Sequence, residues 1–378
     1  MANDGKKTVL ITGCSSGIGL KIAVQLAKDP RERYHGEKSQ GKLLSPKLRY
    51  LASQGNVMRS KKEEEVIGAN ASVRSPLDLT YPKTQLTAFE EVPALFAVIA
   101  TMRDLKKSEK LEAEAGASFN KTLVIRQLDV TNDESVKKCV AELPGQTVDV
   151  LLNNAGVGQV GPIESFSMED MRKIFETNFF GVVRLVKELL PSMKKRRSGH
   201  IVVISSVMGL QGIVFNDIYA ASKFAIEGFC ECLAVQLLKF NIFVSLIEPG
   251  PVNTEFEMKL MEEVARSDFP GADAETIRYF KEVYLPSAHE IFVTMGQAPD
   301  AVAKATVNVI GMQQPVFRHQ TNPLYTPLTA MKYADNSGNL SVRTFYNLIF
   351  NYGSLFHCSL NLLKCITCNC FRRRVMPV

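Results

Sequence analysis

The chain has 378 residues, 46% of them hydrophobic and 22% charged, the balance of a soluble-type globular chain able to bury a large core. The formal charge of +6 is mild. Its basic residues are scattered or sit in short clusters, Lys194–Arg197 and Arg372–Arg374, with no basic stripe interleaved with aromatics, which argues against nucleic-acid binding.

The first seven residues run into a strand without the apolar core of a signal peptide, so a cytosolic core with thiol cysteines is expected. Cys14, Cys139, Cys230 and Cys232 fall within regular elements and are expected to pack; Cys358, Cys365, Cys368 and Cys370 crowd the tail. Thr8–Thr12 reads as a buried strand, followed by Gly13-Cys14-Ser15-Ser16-Gly17-Ile18-Gly19 and a helical pattern to about Lys28. A glycine turn between strand and helix lets backbone approach a pyrophosphate, which the free N–H groups at the helix start stabilise. Gly13 to Gly19 are therefore assigned to a dinucleotide cofactor, although their spacing is G-x-x-x-G-x-G rather than G-x-G-x-x-G.

Residues 35–96 interrupt this pattern. The residue that reads the adenosine ribose is expected about 20 positions beyond the glycine motif. The candidate strand Ala97–Met102 and the Arg103 after it lie far beyond that, and deleting 35–96 restores the spacing. The segment has no sustained period and mixes Lys, Glu, Ser and Pro, as a disordered insertion would. Ala100, Thr101 and Met102 supply no carboxylate for a ribose 2′-hydroxyl, whereas Arg103 suits a 2′-phosphate; NADPH/NADP+ is the expected cofactor. The alternative is a surface Arg paired with Asp104.

Strands and helices then alternate. Thr122–Leu128 ends in Asp129, which could reach an adenine amino group, and Val148–Leu152 ends in Asn153-Asn154-Ala155-Gly156, where Asn154 could line the cofactor cleft. Either could equally be a strand-end turn residue. A helix over 168–193 contains Asn178; a strand over 201–205, a helix over 216–239 and a strand over 242–247 follow, the last preceding Pro249-Gly250-Pro251-Val252. The fold class implied is α/β: a single Rossmann-like doubly wound parallel sheet with helices on both faces. Tyr219 and Lys223, at i and i+4, share one helix face, where the ammonium would lower the phenol's pKa. Ser206, at a strand's carboxyl end, could hydrogen-bond the same substrate oxygen. An ordinary helix with a Tyr and a Lys at a common spacing is the bland reading.

Taken together, Thr12 to Gly19, Asn153 to Gly156, Asn178, Ser206, Tyr219, Lys223 and Pro249-Gly250 resemble the short-chain dehydrogenase/reductase family over residues 7–254, and within it the branch of retinol and 17β-hydroxysteroid dehydrogenases. The resemblance implies Asn178, Ser206, Tyr219 and Lys223 as catalytic residues. It adds Arg103, Asp129, Asn154, Ala155, Gly156, Tyr219, Lys223, Pro249, Gly250, Val252 and Thr254 to the glycine turn as cofactor contacts, with Ser206 and Tyr219 also touching substrate. It implies NADPH-dependent reduction of all-trans-retinal, with a steroid as the alternative substrate, no metal, and a homodimer. A catalytically dead scaffold, disabled by the insertion, is the non-enzyme alternative.

The domains read as 1–34 with 97–315 for the Rossmann unit, 35–96 for the insertion and 316–378 for a C-terminal extension. Residues 253–295 hold Phe256, Met258, Leu260, Met261, Phe269, Phe280, Tyr284 and Phe292, which the resemblance implies to be a lid over an apolar substrate and which also read as a plain amphipathic core. In the tail, Asn347, Asn351, His357 and Asn361 interrupt the apolar pattern and argue against a transmembrane span. Cysteines beside apolar residues and Arg372–Arg374 suit acylation and contact with a membrane surface. Unremarkable thiols and a Cys365/Cys368/Cys370 zinc site are the alternatives. The expected place is the cytoplasmic face of a membrane, peripheral or lipid-anchored, and the photoreceptor outer segment if the resemblance extends that far.

Overall fold

The computed structural model describes residues 6–28 and 96–351. In chain order these form β1 (Lys7–Ile11), α1 (Gly17–Ala27), β2 (Phe96–Met102), α2 (Glu109–Ala115), β3 (Leu123–Gln127), α3 (Asp133–Ala141), β4 (Val150–Asn153), α4 (Met168–Phe175), α5 (Gly181–Arg196) and β5 (Gly199–Ile204). They continue with α6 (Asp217–Leu237), β6 (Ile242–Glu248), α7 (Glu255–Arg266), α8 (Ala274–Arg278), α9 (Leu285–Met295), α10 (Pro299–Gly311), β7 (Arg318–Gln320), α11 (Thr326–Ala334) and α12 (Asn339–Tyr346).

The seven strands make one sheet in the order β3-β2-β1-β4-β5-β6-β7, and all six pairings are parallel. Leu10 of β1 stands between Ile99 of β2 and Leu151 of β4, so the apolar run of β1 is central. Successive side chains of a strand point to opposite faces. Val9 and Ile11 accordingly join Ile22 of α1 and Val302 of α10 on one face, while Leu10 joins Val140 of α3, Leu185 of α5 and Ile226 of α6 on the other. Covering both faces is what a fully apolar parallel sheet requires.

Several expectations are corrected. Phe96 is buried and paired with Lys7, so β2 begins inside the segment assigned to the insertion; the rest of that segment, 35–95, lies outside the described residues. The sheet also takes its last strand from Arg318–Gln320, beyond the boundary at 315, because Leu246–Glu248 offer an open edge to that short polar segment. The helix expected over 168–193 is broken by a π-helical turn at Glu176–Phe180. Cys14, Cys139 and Cys230 are buried as expected, but Cys232 is exposed. Among the described residues no helix is long and apolar enough to cross a membrane. The tail cysteines lie outside those residues, as do Arg372–Arg374.

Candidate active site

The strand order reverses between β1 and β4, and open α/β sheets bind ligands in the crevice outside the strand ends at such a point. A cavity of about 580 Å³ opens there. Gly13 (φ +72°) and Gly17 (φ +59°) take the left-handed backbone that glycine alone adopts freely, and a Cβ on Gly13 would fall 2.9 Å from the Ala155 Cα. Ser15, Ser16, Gly17 and Ile18 line the cavity. The Ser16 side chain makes no capping bond and the first turn of α1 carries no acidic residue, so that end of the helix suits an anion.

Two members of the glycine motif do not line the cavity. Cys14 is buried; its N–H donates to the Thr101 carbonyl at 2.8 Å, its thiol to the Ile11 carbonyl at 3.4 Å, and burial pushes that thiol up to about 12. It is a packing residue rather than a cofactor contact. Gly19 is buried as well: a Cβ there would meet Asn154 Nδ2 at 2.3 Å and the Gly13 carbonyl at 2.5 Å. Its role is close packing of helix against turn. Asn154 lines the cavity and braces it, Nδ2 donating to the Thr12 and Gly13 carbonyls at 3.0 Å each. Thr12, not singled out from sequence as a site residue, accepts from the N–H groups of Asn154 and Ala155 at 2.9 Å each.

Around the same crevice stand Arg103, Asp129, Ala155, Gly156, Pro249, Gly250, Val252 and Thr254. Arg103 is exposed, and among the described residues its guanidinium has no ion pair; Asp104 instead accepts from the Lys106 N–H at 3.0 Å. Asp129 Oδ1 accepts from the N–H and hydroxyl of Thr131 at 3.0 and 2.7 Å. It is thus a turn residue that also lines the cavity.

Ser206, Tyr219 and Lys223 are brought to one wall of this cavity. Ser206 follows β5 and accepts from the Met208 N–H at 3.1 Å, which fixes its rotamer. Tyr219 and Lys223 lie one turn apart on α6, with Lys223 Nζ 5.6 Å from the Tyr219 ring centroid and donating to the Ile204 carbonyl at 3.0 Å. Burial and the Glu257 charge raise the Tyr219 pKa above its ordinary value, while the Ser206 hydroxyl pulls it down. Burial pushes Lys223 down to about 8 against the pull of Glu227 and Glu257. The phenol is thus raised where a lowered value was expected, with burial the largest influence on it.

Asn178 does not line the cavity. It is buried in the π-helical turn, its Oδ1 accepting from the Val157 N–H at 2.8 Å and its Nδ2 donating to the Val157 carbonyl at 2.9 Å and to Ser222 Oγ at 3.0 Å. It ties the loop after β4 to α6 and so acts as a positioning residue.

On the other side the cavity is walled by Val160, Ile213, Leu260, Met261, Phe292 and Met295. Of residues 253–295, Phe269, Phe280 and Tyr284 form an apolar cluster against which Leu260 and Met261 pack, and Phe256, Leu260, Met261, Tyr284 and Phe292 line the cavity, whereas Met258 is exposed. Leu328, Phe345, Leu348 and Ile349 also line it, from a segment that sequence reading treated as an extension. Tyr325 adds a buried hydroxyl without a partner among the described residues, its ring filling the space a Cβ on Gly250 would need. Glu257 is a carboxyl in the same wall.

A family model described as short chain dehydrogenase matches residues 87–265. Bovine retinol dehydrogenase 8 is 50% identical over 375 residues, 99% of each chain. Human 17-beta-hydroxysteroid dehydrogenase type 1 is 34% identical over 349 residues, 91% of this chain and 86% of its own. Among solved structures, a variant of actinorhodin polyketide ketoreductase with NADPH superposes with a TM-score of 0.57 at 23% identity, covering 85% of this chain and 97% of its own.

Proposed function

The chain belongs to the short-chain dehydrogenase family, whose members are oxidoreductases of alcohols and carbonyls, and from that premise we propose that it reduces all-trans-retinal to all-trans-retinol with NADPH. The observation that carries the substrate class is the cavity wall opposite Tyr219. Val160, Ile213, Leu260, Met261, Phe292, Met295, Phe345, Leu348 and Ile349 give an apolar chain a long apolar surface to lie against. Ser287 donates to the Val283 carbonyl at 2.8 Å, and Asn216 is committed to the Val214 carbonyl and the Tyr284 hydroxyl. A steroid carries a second oxygen at its far end, for which these nine apolar side chains supply no hydrogen-bond partner. The 50% identity to a retinol dehydrogenase, against 34% to a steroid enzyme, points the same way.

The turn fits a dinucleotide: Gly13 and Gly17 leave room for its pyrophosphate and α1 presents its first amides. Arg103 lines the crevice free of any ion pair among the described residues, and a guanidinium suits a 2′-phosphate, which is the ground for preferring NADPH to NADH. The cofactor, when bound, supplies the hydride. Tyr219 then donates its phenolic proton to the carbonyl oxygen as charge develops there, and Ser206 Oγ, held by Met208, hydrogen-bonds the same oxygen. Lys223 stays mostly protonated at pH 7 and presents its charge to the oxygen pair and the ribose side of the crevice. Contact with a membrane face through the tail is part of the same proposal. It rests on the tail's composition.

Steady-state turnover with all-trans-retinal and with estrone, each with NADPH and with NADH, tests the reading. Faster turnover of retinal with NADPH is expected. Turnover of estrone without turnover of retinal would overturn it.

A further inference from the structure

The cavity contains a titratable group that this account of hydride transfer leaves unused. Glu257 sits in the first turn of α7, where Thr254 Oγ1 accepts from its N–H at 3.2 Å and fixes the start of the helix. Its neighbours on that side of the helix, Phe256, Leu260 and Met261, line the cavity, so a carboxyl stands in an otherwise apolar face. Elsewhere on α7, Glu255 pairs with Lys110 and Glu262 with Arg266. Among the described residues the Glu257 carboxyl has no hydrogen bond and no ion pair.

The charged and titratable groups that face it are Tyr219 and Lys223 of α6 and Tyr284 of the turn before α9. Burial raises Glu257 to about 7, with Lys223 pulling the other way. Its negative charge in turn raises Tyr219, Tyr284 and Lys223. Two ionised oxygens facing one cavity repel, so the carboxylate and the phenolate disfavour each other.

We propose that Glu257 acts through Tyr219: across the shared cavity its carboxylate further disfavours the phenolate above neutral pH and so slows alcohol oxidation until the carboxyl itself takes up a proton. In oxidation the alcohol's O–H proton must pass to the Tyr219 oxygen, which can accept it only as phenolate. The inference rests on the reading of Tyr219 as the acid and base of the reaction.

The test compares the full-length chain with Glu257→Gln, Glu257→Asp and Glu263→Gln, the last at an exposed position on the same helix. Oxidation of all-trans-retinol by NADP+ is followed from about pH 5.5 to about pH 8.5. Infrared difference titration of the protein without nucleotide reads the protonated carboxyl directly. Glu257→Gln is expected to oxidise retinol roughly three- to tenfold faster than the native chain at about pH 8 and equally fast at about pH 5.5, where the native carboxyl is neutral. Glu257→Asp should restore the native profile and Glu263→Gln should match it. The infrared signal should fade with a midpoint near 7 and be missing from Glu257→Gln. A rate ratio constant across pH, or an infrared titration identical in native chain and Glu257→Gln, overturns the assignment. Tyr219→Phe, run alongside, separates the two levels. Retained turnover there would overturn the role of Tyr219 and this inference with it, whereas a pH-independent ratio would overturn only the role of Glu257.

Discussion

Replacing Arg318 by Met should destabilise the protein by an amount that depends steeply on pH. Arg318 of β7 pairs with Glu227 of α6, with Glu248 of β6 at 2.9 Å and with Glu231 at 3.0 Å. The Glu248 side chain is 0% exposed and that of Glu227 5%, so both carboxyls depend on this guanidinium. Burial and the Glu227 charge already push Glu248 up to about 7 from its usual 4.5, and burial raises Glu227 as well. A carboxyl raised in the folded state contributes stability that is complete below its unfolded pKa and is lost as pH rises through its folded pKa. For Glu248 that window runs from 4.5 to about 7 and is worth about 3 kcal/mol. Without Arg318 both carboxyls must either ionise unpaired or stay protonated. Staying protonated at pH 8 costs each about 5 kcal/mol relative to the unfolded chain, of which native Glu248 already bears about 3, while at pH 5 the cost is under about 1. The added loss in Arg318→Met is therefore at least about 2 kcal/mol at pH 8 from Glu248 alone, with Glu227 adding to it, and under about 1 kcal/mol at pH 5. Urea unfolding at the two pH values measures it. Equal losses at both would refute the reasoning, as would a loss below about 1 kcal/mol at pH 8.

Arg103→Glu should weaken NADPH binding by about tenfold or more and leave NADH binding much less affected, measured by nucleotide titration, because a carboxylate repels a 2′-phosphate and accepts from a 2′-hydroxyl. Gly19→Ala should lower dinucleotide affinity while keeping the fold, since its Cβ would displace Asn154 Nδ2 and the Gly13 carbonyl; calorimetry reads the affinity and circular dichroism the fold. Ser substitution of Cys358, Cys365, Cys368 and Cys370 together should release the chain from vesicles or cell membranes in a flotation assay without changing turnover of soluble substrate.

Most of the sheet was legible because its strands are apolar runs set between glycine, asparagine and proline signals. Thr8–Thr12, Ile201–Ser205 and Ile242–Ile247 lie within one or two residues of β1, β5 and β6. β7 was not legible. Arg318-His319-Gln320 carries no apolar period, and it becomes a strand through its register with Leu246–Glu248 and through the three ion pairs of Arg318. For the same reason the wall formed by Tyr325, Leu328, Phe345 and Ile349 was read as an extension: its contacts are made across the fold and leave no local spacing signal. The grouping of Ser206, Tyr219 and Lys223 was legible because the i, i+4 pair and the strand-end serine are local patterns. What sequence could not supply was the direction in which burial moves Tyr219. Cys14 and Gly19 sit inside a ligand-binding motif yet serve packing, which only the depth of the turn reveals. Glu257 did leave a signal, a lone carboxyl on the helical face of Leu260 and Met261, and it would have marked the residue.

The account turns on Tyr219 as the group that exchanges a proton with the substrate oxygen. Tyr219→Phe removes one hydroxyl from the cavity wall and leaves the glycine turn, Arg103 and Lys223 in place. Turnover of all-trans-retinal should fall by about 10²- to 10⁴-fold, with NADPH still bound as judged by its own fluorescence. Turnover within a few-fold of the native chain, with NADPH bound, would contradict the account.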